Sequence, residues 1–195
     1  MSREAAHGPD GTPRCPWALG SADYIVYHDS EWGRPVHGDV ALYERLTLEG
    51  FQSGLSWLTI LRKRDGFRRA FAGFEPSVVA EYDESDVARL LDDTAIVRNR
   101  AKVNAAITNA RALSRLREEE GDGALDRLIW SFAPDDDGRP APRTLDDVPA
   151  LTPESTALAR ALKRRGFVFV GPTTAYATMQ AAGLVNDHLA GCAHR

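Results

Sequence analysis

The sequence predicts an all-α fold, and three observations carry that expectation. Apolar residues recur every three or four positions in one segment after another, as in Leu42, Tyr43 and Leu46, or Val103, Ala106, Ile107, Ala110 and Leu113. Helix signals bracket these segments, with Asp39 as a cap, Pro76 suited to a first turn, and Gly50 and Gly166 as stops. The one strand-like run, "FVFVG", leads into Pro172 and a further helical pattern, which leaves little sheet around it.

Residues 1–13 are polar and rich in Gly and Pro, so they read as a mobile tail, and residues 14–195 as a single domain. A first helix is expected from Asp39 to Gly50. A second spans Ser53 to Arg64, with Leu55, Leu58 and Leu61 spaced for burial. "FRRAFAGF" and "EPSVVAEY" follow. "SDVARLL" and "RNRAKVNAAITNARALSRL" are two helices around the short break "DDTAIV", the second entered through Arg98, Asn99 and Arg100, which together form a helix-hairpin-helix. Residues 134–153 hold five prolines and several acidic side chains and are a loop. "STALARALKRRG" resumes a helix that ends at Gly166, and "TTAYATMQAAGLVNDHLAGC" is the last helical stretch.

A chain of 195 residues can bury a substantial core. It has no apolar run of eighteen residues, and its start lacks the apolar segment of a secretory signal, so a cytoplasmic protein without membrane association is expected. Two cysteines in a reducing compartment are free thiols or metal ligands rather than a disulfide. The net charge of −4 argues, as a sum, against nucleic acid. Its distribution argues otherwise: "RKRDGFRR", "VRNRAK" and "KRR" concentrate the basic residues, apart from the acidic "REEEGDG" and "PDDDG". Each cluster taken alone reads first as a solvated face or loop.

Three constellations carry chemistry. Cys15 and His28 near the start, and His188 and Cys192 near the end, are thiol and imidazole donors suited to zinc. His188 and Cys192 are four apart and share one face of the expected last helix. Four protein ligands would leave no open position, which favours a structural metal over a hydrolytic one; the alternative is capping or core roles for each residue. His194 lies close enough to Cys192 to compete. The second constellation is aromatic: Trp17, Tyr24, Tyr27 and Trp32, with Trp57 further on, are either core or the walls of a pocket for a flat, cationic ligand. The third is Glu49 in "LEGFQSGLSW", a carboxylate among apolar residues, costly to bury without a partner unless it is simply an exposed helix-terminal residue.

Taken together, "RCPW", "DYIVYHDSEWG", "LTLEGFQSGLSWLTILRKR", "IVRNRAKVNAAITNARA", "WSF", "ALKRRGFVFVG" and "MQAAGLVNDHLAGC" resemble the DNA-3-methyladenine glycosylase I family of bacterial alkylation-repair enzymes, over Arg14 to Cys192. The resemblance implies a helix-hairpin-helix glycosylase domain whose N- and C-terminal segments are joined by one structural zinc ion on Cys15, His28, His188 and Cys192. It implies a flipped lesion base hydrogen-bonded by Glu49 and Tyr27, stacked on Trp57, and walled by Trp17, Tyr24 and Trp32. Partners would be alkylated double-stranded DNA and the released 3-methyladenine, with the protein a monomer. No Asp or Glu stands between Lys102 and Arg117 and no lysine stands out as a Schiff-base nucleophile, so hydrolysis without lyase activity is expected. DNA contacts fall to Arg98, Arg100 and Lys102, with Leu55 entering the space left by the flipped nucleotide. Ala95 and Ala101 stand where such hairpins tend to use glycine, which shifts the phosphate contact toward side-chain charge.

Two other function classes share parts of this pattern. A zinc-clasped DNA-binding module would use the hairpin but not a Glu49, Tyr27 and Trp57 pocket. A zinc hydrolase would need an open metal position.

Overall fold

The apolar periodicity becomes nine α-helices among the residues described by the structure, a computed structural model covering residues 3–135 and 140–195. They are α1 Ala22–Ser30, α2 Asp39–Gln52, α3 Trp57–Ala70, α4 Pro76–Ala80, α5 Glu84–Asp92, α6 Arg100–Glu120, α7 Ala124–Trp130, α8 Pro153–Arg164 and α9 Pro172–Ala181. The only strands among the described residues, β1 Ala6–His7 and β2 Pro13–Arg14, form one antiparallel pair. The all-α expectation is met in this sense: the molecule is mostly helical. No helix among the described residues is long and apolar enough to cross a membrane.

One continuous core runs through the helices, with Leu42, Leu46, Phe51, Ile60, Phe67 and Leu113 fully enclosed. Burial of each such side chain contributes about 1.5–3 kcal/mol. α4 and α5 pack on α6, while α9 packs on both α2 and α8. α2 therefore lies at the centre, and its C-terminal turn is reached from several sides.

Asp39 does not cap α2 as expected. Its buried carboxylate accepts the Gly123 and Asp126 amides, each at 3.0 Å, and Arg117 Nε at 2.8 Å, so it satisfies the start of α7. Asp126 returns the contact, accepting the Gly38 amide at 2.7 Å. Each helix start is thus capped by the other, which fixes α2 against α7. α2 also continues through Gly50 to Gln52, and α3 starts later and runs further than expected.

The hairpin between α5 and α6 forms where expected. The Asn99 side chain caps α6 through the Lys102 amide at 3.1 Å, and Lys63 Nζ donates to the Thr94 carbonyl at 2.7 Å. At Gly66 of α3, a Cβ would lie 2.5 Å from the Ala95 carbonyl oxygen. Only glycine lets the hairpin turn approach α3 this closely.

Other expectations need correction. The supposed mobile tail is, from residue 3, tied down: β1 pairs with β2, the Leu145 amide donates to the Arg3 carbonyl at 2.8 Å, and buried Arg14 forks onto Asp10 and Asp29. Planar guanidinium geometry matched to two carboxylates supplies the ordering that composition does not reveal. "FVFVG" forms no strand, because the buried Asn109 side chain takes both hydrogen bonds of Val168's backbone, at 3.1 and 2.8 Å. α9 stops at Ala181, because Gly183 adopts φ +75° where a Cβ would lie 2.4 Å from the Arg34 backbone, a position no other residue could take. Residues 184–195 are therefore not helical, and His188 and Cys192 do not share a helix face. Within the Pro-rich loop a short 3-10 turn spans Leu145–Asp147; residues 136–139 of that loop lie outside the described residues.

Candidate active site

α1 projects Tyr24 and Tyr27 toward the end of α2, and a 3-10 turn over Pro16–Gly20 brings Trp17 against them. Trp57 opens α3, and Trp32 follows α1. These five aromatics line one cleft of about 390 Å³ together with Glu49 and Gln52. Trp17 meets Tyr24 and Trp32 edge-on at 5.6 and 5.0 Å, while Tyr27 and Trp57 sit 5.4 Å apart at 46°. The edge-to-face pairs hold the walls rigid and leave ring faces for a flat ligand. Tyr24 has a further task, because its hydroxyl accepts the Leu58 amide at 2.9 Å and satisfies an orphan donor at the start of α3.

Glu49 is buried, only 7% exposed, and makes no hydrogen bond or ion pair among the described residues. Burial pushes its carboxyl up to about 8, against a pull from the Arg45 charge one turn earlier on α2. Tyr27 is likewise buried, its hydroxyl has no partner among the described residues, and burial and then the Glu49 charge raise it well above the usual tyrosine value. Trp57 Nε1 is fully buried and has no partner among the described residues. Three polar groups without partners around one cleft suit a ligand that brings complementary polar atoms. Behind them Glu31 receives Arg64 at 2.5 and 2.8 Å and Arg45 at 3.2 Å, and these contacts hold it below the usual carboxylate range despite its burial.

Sequence reasoning missed six lining residues: Gln52, Leu145, Val148, Ala177, Gln180 and Asp187. Gln52 had a signal, lying one helical turn beyond Glu49. Asp187 accepts the Tyr176 hydroxyl at 2.6 Å and Gln180 Nε2 at 2.8 Å, joining α9 to the closing segment. Leu145 and Val148 come from the Pro-rich loop and carried no signal.

Beside the cleft, Cys15, His28, His188 and Cys192 are all buried, with ligand atoms within 4.8 Å of one another, a group that could hold a metal ion. His28 Nε2 lies 3.1 Å from His188 Nδ1, and Cys192 Sγ lies 3.5 Å from both nitrogens. The other ring nitrogens are engaged, His28 Nδ1 with Asp29 at 2.8 Å and His188 Nε2 with the Trp32 carbonyl at 3.1 Å. Proton placement on the outer nitrogens leaves both inner lone pairs free to bind a cation. Burial raises the Cys15 thiol to about 12 and lowers His188 to about 4. His194 stays outside the four, its Nε2 3.2 Å from Asp29. Trp17 and Trp32 pack on both the thiol cluster and the main core, so the two sites share a wall.

Of the expected DNA-contacting residues, Arg98 and Arg100 are exposed at the hairpin, Arg100 paired with Glu84. Leu55 is 42% exposed in the turn between α2 and α3, not buried as its spacing suggested. Lys102 is the exception. It is 8% exposed, and its Nζ donates to the Phe51 and Ser53 carbonyls at 2.9 and 2.5 Å, so it caps the end of α2 rather than facing outward.

The chain is similar to known proteins in sequence and in fold. A model of the methyladenine glycosylase family matches residues 17–195. The DNA-3-methyladenine glycosylase 1 of Escherichia coli is 46% identical over 179 residues, which cover 92% of this chain and 95% of that protein. A crystal structure of a 3-methyladenine DNA glycosylase I superposes with a TM-score of 0.86 at 47% identity, covering 93% and 100% of the two chains. The Staphylococcus aureus enzyme, solved to explain its recognition of 3-methyladenine, follows at 0.84 and 33%, covering 93% and 95%. With the match spanning nearly the whole chain in sequence and in fold, the chain belongs to the methyladenine glycosylase family.

Proposed function

We propose that the protein excises 3-methyladenine from alkylated duplex DNA by hydrolysing its N-glycosidic bond, leaving an abasic site without strand cleavage. The observation that carries this reading is the buried Glu49 carboxyl and Tyr27 hydroxyl, both without partners among the described residues, inside a cleft of aromatic rings. Family membership and the names of its relatives support the same substrate.

The chemistry follows from the lesion's charge. 3-Methyladenine in DNA is cationic, so its ring is attracted to the face of Trp57 and its exocyclic amine to a carboxylate acceptor at Glu49. In the free protein burial favours the protonated acid near neutral pH. A cationic base alongside supplies the missing counter-charge and favours the carboxylate. Guanine would present a carbonyl oxygen to that carboxylate and be repelled. Tyr27 donates a second hydrogen bond, and Trp17, Tyr24 and Trp32 exclude water from the base. As the C1′–N9 bond breaks, its electron pair neutralises the departing ring; water then adds to C1′ and loses a proton. The leaving group is already activated, so binding the base most tightly as the bond breaks supplies the acceleration. Arg98 and Arg100 hold the phosphate backbone at the hairpin, and Leu55 fills the gap in the duplex.

The buried thiol and imidazole cluster fits zinc as a structural ion. Zn–N bonds of about 2.0–2.1 Å and Zn–S bonds of about 2.3 Å in a tetrahedron place nitrogen from nitrogen at about 3.3 Å and nitrogen from sulfur at about 3.6 Å. The observed spacings of 3.1 and 3.5 Å match this, with Cys15 Sγ at 3.9 Å from His188 Nδ1. Cys15, His28, His188 and Cys192 would hold the ion, which when bound stabilises two thiolates and cross-links the ends of the chain beside Trp17 and Trp32. Four protein donors leave it no place in hydrolysis.

The test is release of 3-methyladenine from methylated duplex by the purified protein, with chelator present and Glu49→Gln as control. Release by the parent that fails in the variant is the expected result. No release by a folded parent protein would overturn the assignment.

A further inference from the structure

Phe169 is a backbone outlier with an exposed ring. Its φ is +61°, a left-handed conformation that a bulky residue adopts only under strain, at a cost of order 1–3 kcal/mol. The ring is nevertheless 46% exposed, so burial of the aromatic does not repay that strain. The conformation is imposed from behind. Buried Asn109 on α6 clamps both backbone polar groups of Val168, and Phe167 on the other side is enclosed in the core. A segment pinned on one face and strained at the next residue presents an apolar side chain outward.

Its position gives that presentation a purpose. Phe169 lines a narrow crevice with Gly50, Phe51 and Lys102, so it borders the last turn of α2. Glu49 and Gln52 of that turn line the base cleft, and Lys102 of the hairpin's second helix caps the turn from beneath. Leu55, 42% exposed, follows a few residues on. Six large apolar side chains are exposed among the described residues; Leu55, Val168 and Phe169 are three of them. α9 begins just beyond with no side chain capping it, so its free amides add partial positive charge.

Resting on the glycosylase reading above, we propose that Phe169 is a second apolar wedge, stacking on a base of the duplex beside the flipped nucleotide while Leu55 fills the gap itself. The occupant is nucleic acid because this patch is continuous with the base cleft and the hairpin, where a duplex must lie for a base to reach Glu49. Apolar wedges of this kind unstack a base step and stabilise the bent duplex.

The experiment compares the parent protein with Phe169→Gly, Phe169→Ala and Phe169→Trp. Three quantities are read: affinity for a duplex carrying an abasic-site analogue, release of 3-methyladenine from methylated duplex, and binding of free 3-methyladenine by tryptophan fluorescence. Phe169→Gly and Phe169→Ala are expected to weaken duplex binding about tenfold and to slow release, with free-base binding within about twofold of the parent. Phe169→Trp should retain duplex binding. Because glycine tolerates positive φ, Phe169→Gly should melt no lower than the parent, which a purely structural ring would not allow. Parental duplex affinity and release in Phe169→Gly, or free-base binding lost in step with duplex binding, would overturn the wedge while leaving the glycosylase reading intact. A parent protein that releases no base would remove both.

Discussion

Replacing Glu49 with Gln tests the central electrostatic claim without DNA. The carboxyl is pushed to about 8 in the fold, against a usual 4.5. Between those pH values the native state holds a proton that the unfolded state has lost, so stability falls as pH rises. At about 1.4 kcal/mol for each pH unit, the full effect above pH 8 is roughly 5 kcal/mol, and at pH 7 about 3 kcal/mol. Glutamine keeps the shape and cannot ionise. Its amide carries its own desolvation cost, but that cost does not vary with pH. The readable quantity is therefore the pH dependence of the gap between variant and parent. For a chain of this size each kcal/mol moves Tm by about 2–4 °C, so the variant should gain roughly 5–10 °C on the parent between pH 5 and 7. Thermal unfolding by circular dichroism from pH 5 to 8.5 measures it. A gap that stays flat, or narrows with rising pH, would show that Glu49 is not held in a desolvated site. The same ionisation should make kcat/KM for base release rise as pH climbs toward 8, since that profile reports the free protein.

Cys192→Ser should lower bound zinc well below one ion per chain and reduce Tm, whereas parental zinc content by mass spectrometry would exclude Cys192 as a ligand. Arg98→Ala should reduce the salt dependence of DNA binding, lowering the log–log slope by about one, with little change in Tm. Lys102→Met should do the reverse, costing about 1–3 kcal/mol through uncapped carbonyls and leaving the salt slope in place; urea unfolding and salt titration together separate the two. Asp39→Ala takes a buried carboxylate from Arg117 and from the start of α7 and should cost about 2–4 kcal/mol, and a loss below 0.5 kcal/mol by urea unfolding would refute the reciprocal capping described above.

The helices were readable because their apolar stripes repeat, and the hairpin because its two helices leave a short connection that enters the second through Arg98, Asn99 and Arg100. What went unread has common physical causes. The first residues look too polar to order, yet Arg14 gathers Asp10 and Asp29 around one buried guanidinium, a gain that depends on a partner far along the chain. The last helix looked longer than it is, because the reason it ends is steric: the Arg34 backbone occupies the space beside Gly183. His188 and Cys192 were brought together on a helix face by expectation and by a turn in fact, the Cys192 amide donating to the Leu189 carbonyl at 2.8 Å. The chemistry of four soft donors was visible in residue type alone, whereas the path that gathers them was not.

The two buried charges at the end of α2 show where reading by residue type stops. Glu49 and Lys102 are both ionisable side chains beside apolar neighbours, and spacing treats them alike. In the fold they lie near one helical turn with opposite consequences. Lys102 finds the two carbonyls that a helix end leaves unsatisfied, so its burial is compensated within the chain. Glu49 finds no donor, and its acidity is displaced as a result. A buried charge that the fold satisfies stabilises the fold; one that it leaves unsatisfied specifies a ligand. That distinction depends on which carbonyls and amides the tertiary structure leaves nearby, and it places Lys102 in the scaffold and leaves Glu49 open to a ligand.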